Sequence, residues 1–323
     1  MRRREFIATL GAGVLWPLAA YAQSDRVIFL TNVAASDPEG QRNFKALVGG
    51  LKDRGWTANR DVTVDFRGIA GNIALVEPYV AQALATKPNV IVSSSGPILP
   101  ELEKQTQSVP IIFVKVMDPV AAGFVRSLAN PGGNVTGFTN FEPAFGGKWL
   151  EILRSIVPDV ARVIVLLNPD LSPQHHIVAS ITKLAGALRI EVVAAGVHDA
   201  HDIEEAFRHG AGDRTGIIVL PNPITIANRK FLVSTANDVR LPTIYPNKYF
   251  AEIGGLVSCG VDLVTQYRDA AGYVDRILHG QAPGELPVQA PTKFELVINV
   301  KAAKSLGLAI SPMLLARADE VIE

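Results

Sequence analysis

The run Val90-Ile91-Val92-Ser93-Ser94-Ser95-Gly96-Pro97, followed after one helix length by Ile111-Ile112-Phe113-Val114-Lys115-Val116, decides the fold. Both apolar stretches lack the every-other-residue polarity of a half-exposed sheet. Strands covered on both faces, as in a parallel sheet, read this way. Between them, 98–107 has helical character, and Pro97 stands where prolines favour a helix start.

The same unit repeats in both directions. Upstream, 27–33 and 62–66 are predicted strands. The predicted helix 38–54 carries Phe44, Leu47, Val48 and Leu51 on one face and stops at Gly55. A second helix, 72–85, ends before Lys87-Pro88. Downstream, 118–128 reads as helical, 130–134 as a turn and Val135–Thr139 as a short strand. A second series follows, with strands at 162–167, 191–195, 216–220 and 243–245 and helices at 146–156, 173–188, 202–210 and 226–238. Alternation of this kind predicts an α/β protein with two doubly wound parallel-sheet lobes. The rest of the chain holds strands at 255–259 and 294–299 and helices at 263–278 and 300–306. It is expected to complete both lobes through a hinge crossed several times. The expected allotment is 23–139 plus 256–282 for the first lobe and 140–255 plus 283–323 for the second.

Residues 1–22 have the layout of an export signal. Arg2, Arg3 and Arg4 precede an apolar run from Phe6 to Ala20, and Ala20-Tyr21-Ala22 puts small residues where a signal peptidase reads. Arg3-Arg4-Glu5-Phe6-Ile7 also fits a twin-arginine signal, so general-secretory and twin-arginine export both remain open. Removal leaves 301 residues, enough for two domains. The 31 basic and 31 acidic residues lose three arginines and one glutamate with the signal, which gives a net charge of −2. With no basic stripe, neither nucleic acid nor an anionic membrane is an expected partner. The single Cys259 excludes an internal disulfide, and no cysteine follows the cleavage site to carry a lipid. A freely diffusing periplasmic monomer is expected.

In open α/β sheets, ligands bind beyond the carboxyl ends of the strands. Those ends carry Thr31-Asn32, Ser94-Ser95-Gly96, Met117-Asp118 and Thr139-Asn140 in the first series. The second carries Asn168-Pro169-Asp170, Pro221-Asn222-Pro223 and Pro246-Asn247. Hydroxyls, amides and carboxylates suit hydrogen bonding to a small polar molecule. At Ser94, Ser95 and Gly96, free backbone amides at a helix start favour an anion, and ordinary serine capping fits equally. Asp118, before Pro119, fits either a helix cap or a partner for a ligand amine. Asn168 and Asn222 each precede a proline and also suit turn initiation. Phe141, Tyr245, Tyr249 and Phe250 are placed to stack on a ligand, whereas Trp149 lies on the apolar face of its helix and reads as core.

Catalytic signatures are missing. There is no Gly-x-Ser-x-Gly, phosphate-loop or His-Glu-x-x-His pattern, and no nucleotide or other cofactor is expected. His198, Asp199, His201 and Asp202 invite a metal reading, but Asp202 and Glu205 match a helix start and no metal is expected. Cys259 in an apolar strand reads as a buried small hydrophobe.

Pro131-Gly132-Gly133-Asn134-Val135-Thr136-Gly137, Asp118-Pro119-Val120, and the tail resemble the ABC transporter substrate-binding proteins related to tryptophan-binding periplasmic proteins. In the tail, the match runs through Leu286-Pro287-Val288-Gln289, Pro291-Thr292-Lys293-Phe294-Glu295-Leu296-Val297-Ile298-Asn299 and Leu315-Ala316-Arg317-Ala318-Asp319-Glu320-Val321-Ile322. The resemblance implies a type I periplasmic binding fold, closure of two lobes on an amino acid, aromatic ones included, and docking on an ABC permease. It implies a cleft lined by Asn32, Ser95, Asp118, Asn140, Asn168, Asn222 and Asp262. A ligand carboxylate would then sit at Ser95-Gly96 and an amine near Asp118 or Asp262. A receptor feeding a membrane signalling protein is the alternative, and an exported enzyme acting on a small metabolite a more distant one. Protein purified from the periplasm is expected to begin at Gln23 by N-terminal sequencing, and an intact Met1 there would remove the export reading.

Overall fold

The computed structural model describes residues 24–94, 96–140, 145–210, 212 and 214–323. The expected signal, Ser95 and Phe141 lie outside the described residues.

The first series runs β1 (Asp25–Thr31), α1 (Pro38–Asp53), β2 (Val62–Gly68), α2 (Val76–Ala85), β3 (Val90–Ser93), α3 (Leu99–Gln105), β4 (Ile111–Val116) and β5 (Val135–Thr139). Its sheet has the order β2-β1-β3-β4-β5 and is parallel throughout. Strand β3 and residues 27–31 of β1 are buried, as their largely apolar runs require. Helix α1 begins at Asp37, whose carboxylate accepts the backbone amides of Glu39 and Gly40 at 3.0 and 3.1 Å.

The second series runs α4 (Phe145–Ile156), β6 (Arg162–Leu167), α5 (Ser172–Ala187), β7 (Glu191–Gly196), α6 (Ala200–Gly210), β8 (Thr215–Val219), α7 (Pro223–Ala227), α8 (Arg229–Asp238), β9 (Thr243–Tyr245), α9 (Lys248–Glu252) and β10 (Val257–Val261). Its strands lie in the order β7-β6-β8-β9-β10, which repeats the strand order of the first sheet. After α10 (Leu263–Leu278), the chain adds β11 (Phe294–Asn299), α11 (Val300–Leu306), α12 (Pro312–Leu315) and β12 (Glu320–Ile322). β11 is antiparallel to β10 and β12 parallel to β11, giving seven strands. On α4, the buried residues Phe145, Trp149, Leu150, Ile152, Leu153 and Ile156 follow helical spacing and close one face of this sheet. Trp149 is core, as expected, and its indole N–H donates to the Cys259 carbonyl at 2.7 Å.

Three expectations change. Residues 118–128 form a succession of turns and no helix. Asp118 and Gly123 have φ of 42° and 82°, and each breaks the right-handed run a helix needs. The predicted helix 226–238 is two helices, because Asn222 and Thr225 cap one another in a reciprocal box and start a separate α7. The allotment of the tail also differs. β10 pairs within the second sheet, whereas α10 packs on α1 and buries Tyr267, Ala270, Ala271 and Val274 in the first-lobe core. Leu286 and Val288 belong to first-lobe cores too, and Gln289 bridges to β5. The expected segments 256–282 and 283–323 are therefore each divided between the lobes, because apolar spacing marks a buried face without naming the core it joins.

The α1–α10 contact depends on a small residue. A methyl group at Gly50 would lie 2.7 Å from the Arg268 carbonyl oxygen and 2.8 Å from the Ala271 Cβ, whereas at Gly49 nothing comes nearer than 3.9 Å. Gly50→Ala should lower unfolding free energy by about 1–3 kcal/mol. Gly49→Ala should leave it unchanged or raise it by up to about 1 kcal/mol, measured by urea denaturation. Equal effects would show that the helices do not meet this closely. Cys259 is fully buried, and burial pushes its thiol up to about 11. It should resist a disulfide reagent in the native protein and react fully in denaturant.

Candidate functional site

In each sheet the strand order reverses beside its first strand, between β1 and β3 and between β6 and β8. Crevices at such points are where open α/β sheets hold ligands. Here the two crevices share one cleft of about 410 Å³. The first lobe contributes Asn32, Ser94, Gly96, Pro97, Lys115, Met117 and Phe124. The second contributes Asp170, Leu171, His176, Asn222, Ile226, Asn247 and Tyr249, with Asn140 and Leu263 from the hinge between them.

The polar groups differ in how far they are already engaged. The Asn32 side-chain amide makes no hydrogen bond to a described residue and borders the cleft. The Ser94 hydroxyl is bonded to that of Tyr267, which reaches from α10 to the end of β3. The Asn222 oxygen accepts the Thr225 amide at 2.9 Å and its NH₂ donates to the Leu220 carbonyl at 3.3 Å, so capping α7 occupies most of its capacity. The Asn247 oxygen accepts the Tyr249 hydroxyl at 3.3 Å.

Four expected site residues do not line the cleft. The Asp118 carboxylate accepts the Ala121 amide at 3.1 Å and caps its own turn. The Asn168 oxygen accepts the Asp170 amide at 3.0 Å, again a local turn. Tyr245, at the end of β9, is buried in a core of the second lobe and stacked on Phe250, with ring centroids 5.0 Å apart. Asp262 starts α10 by accepting the Thr265 amide at 3.0 Å and hydroxyl at 2.7 Å, and it binds the Lys293 ammonium at 2.8 Å. Burial pushes that carboxyl up, but the bonds from Lys293 and Thr265 outweigh it and hold the group below its ordinary value. Asp262 therefore ties two of the chain's hinge crossings together, with its carboxylate engaged by Thr265 and Lys293. Of His198 and its neighbours, the Asp202 carboxylate accepts the His198 amide at 2.8 Å, and among the described residues no group of three or more His, Cys, Asp or Glu is placed to hold a metal.

One residue of the cleft escaped the sequence reading. Lys115 lies in β4 at a bulge, where pairing with β5 slips between Val114 and Val116. Its φ is 67°, a left-handed conformation uncommon for a lysine. A bulge re-aims a side chain, and here it turns Lys115 out of the sheet and into the cleft wall. Its ammonium makes no hydrogen bond or ion pair with a described residue. Burial pulls the group down to about 8, while the carboxylates of Glu39 and Asp37 act in the opposite sense.

Those carboxylates belong to a set of ion pairs across the mouth of the cleft. Asp37 at the start of α1 pairs with Arg229 at the start of α8. Arg42 on α1 grips both oxygens of Glu252 on α9 at 3.0–3.1 Å and also reaches Glu39 at 3.1 Å. The Arg229 guanidinium sits 5.8 Å from the centre of the Tyr249 ring. Joined by these pairs, the two lobes are in contact across the cleft.

The sequence profile of the ABC transporter substrate binding protein family matches residues 32–322. A curated relative, the tyrosine-binding protein of Clostridioides difficile strain R20291, is 25% identical over 271 residues, which cover 84% of this chain and 78% of that protein. Among solved structures, a conserved domain protein from Vibrio cholerae O1 biovar eltor shares 28% identity with a TM-score of 0.85, over 93% of this chain and 100% of that one. The ABC domain of Streptococcus pneumoniae in complex with L-Trp has a TM-score of 0.84 at 24% identity over the same shares, a likeness of fold. With two lobes of one strand order, a shared cleft and a profile match over nearly the whole chain, this protein belongs to the ABC transporter substrate-binding protein family.

Proposed function

We propose that the chain is the exported solute receptor of an ABC importer, capturing an amino acid or a close relative of one and presenting its closed form to the permease. The observation that carries this reading is the cleft at both sheet reversals, closed by Asp37–Arg229 and Arg42–Glu252. Apolar side chains such as Met117, Phe124, Leu171 and Ile226 suit an aromatic or aliphatic ligand body, with Asn32, Ser94 and Asn140 at its polar end. The tyrosine-binding relative and the L-Trp-bound structure support an amino acid or similar molecule. The apolar stretch at 1–22 supports export, and the net charge near zero is consistent with a free receptor.

Mechanistically, a ligand touching both lobes stabilises the closed state by its differential affinity, and the ion pairs across the mouth add to it. A panel of aromatic and aliphatic amino acids and their deaminated acids tests this by thermal unfolding and small-angle X-ray scattering. A true ligand at 100 times its dissociation constant should stabilise by about 2.7 kcal/mol and shrink the radius of gyration. The Arg42→Ala/Arg229→Ala variant should bind the same ligand about tenfold more weakly, with ligand-free stability changed by no more than about 1 kcal/mol. No closure with any solute of the panel would overturn the receptor reading.

A further inference from the structure

Resting on the solute-receptor reading of this cleft, we propose that its ligand is a carboxylic acid with an apolar body and no ammonium group, its carboxylate bound by Lys115. A zwitterionic amino acid needs a counter-charge for each end when both are withdrawn from water. Among the described residues, the cleft encloses one for the carboxylate alone. Lys115 is turned inward by a bulge and a left-handed backbone, and its ammonium is unpartnered among the described residues. Backbone strain of this kind persists where the surroundings enforce it, and functional positions collect it. Asn32 offers a further free amide donor on the same lobe.

Among the described residues, the acids nearby are committed elsewhere. Asp118 caps its own turn and Asp262 holds the hinge. Asp37 is paired with Arg229, and Glu39 with Arg42. Asp170 borders the cleft, but its side chain is 78% exposed and faces His198 at 3.9 Å, so water screens it. Elsewhere on the wall, Pro97, Val116, Met117, Phe124, Leu171 and Ile226 present carbon, and Asn140, Asn222, Asn247 and Tyr249 present groups that carry no negative charge. A ligand ammonium set against that wall loses its hydration without a carboxylate in return, and a deaminated acid avoids that loss.

The test compares matched probes on the mature protein by titration calorimetry. These are 3-(4-hydroxyphenyl)propionate against L-tyrosine and tyramine, and indole-3-propionate against L-tryptophan and tryptamine. The expected result is that an acid binds at least about tenfold more tightly than its amino acid, and that the amines do not bind. Lys115→Met should weaken the acid by about tenfold or more, whereas Lys115→Arg should keep most of the affinity. Unfolding curves establish that both variants are folded. In the wild type, acid affinity should fall as the pH rises through about 8, where Lys115 loses its proton, and Lys115→Met should abolish this dependence. The charged groups that face Lys115 are the carboxylates of Asp37 and Glu39 on its own lobe and the Arg229 guanidinium of the other, with the Tyr249 phenol beside them. Tighter binding of the amino acid, or unchanged affinity in Lys115→Met, overturns the carboxylate assignment and leaves the receptor reading standing. Absence of closure with every solute tried overturns both.

Discussion

The structure depends on the passage from β10 to α10, where one residue separates a strand of the second sheet from a helix buried against the first. Asp262 occupies that residue. It starts α10 with its carboxylate and binds Lys293, which stands on the crossing that returns to β11. Behind it, Gln266 donates to the Thr139 carbonyl at 2.5 Å, and Gln289 and Thr139 exchange backbone bonds with their neighbours on β5 and the tail. All three crossings are thus laced together by short-range bonds within a few residues. A joint of this kind lets two rigid sheets rotate about one narrow waist without either core being disturbed.

Closure has a different physical basis. The pairs Asp37–Arg229 and Arg42–Glu252 join long side chains near solvent, where such pairs are individually worth about 1 kcal/mol or less when exposed. Asp37–Arg229 is the more buried of the two and gains from exclusion of water. Balanced charge around the mouth favours contact without locking it, and in the proposed receptor the ligand supplies the difference between open and closed. Within the cleft the balance is uneven. Among the described residues that line it, asparagine and serine groups and the Lys115 ammonium share a wall that is otherwise largely apolar.

Much of the fold was legible because each strand is a short apolar run and each helix an amphipathic one, so the alternation survives in the sequence. Asn32, Ser94, Asn140 and Asn222 were found by reading strand ends, and the structure brings all four to the cleft. Asp118 and Asn168 were chosen by the same rule and Asp262 through the family resemblance, yet their side chains are taken up by caps and turns. A carboxylate before a helix looks the same on paper whether it faces its own backbone or a ligand. Lys115 was missed for the opposite reason. It sits inside an apolar strand, where the pattern assigns every side chain to one face of the sheet or the other, and a bulge suspends that rule. A single lysine in an otherwise apolar strand was the available signal.

From its residues alone, the chain declares two α/β lobes, the ends of the strands at which a ligand can bind, and an apolar, export-like start. These follow from local order, in which periodicity sets the element and the residue after a strand sets the chemistry of its loop. Tertiary contact decided the rest. It assigned β10 to one lobe and α10 to the other, placed Arg229 and Glu252 opposite Asp37 and Arg42, and left Lys115 at the cleft wall without an ion pair among the described residues. These outcomes concern which distant surfaces meet, and meeting depends on shape and charge in three dimensions, which neighbouring residues along the chain do not encode.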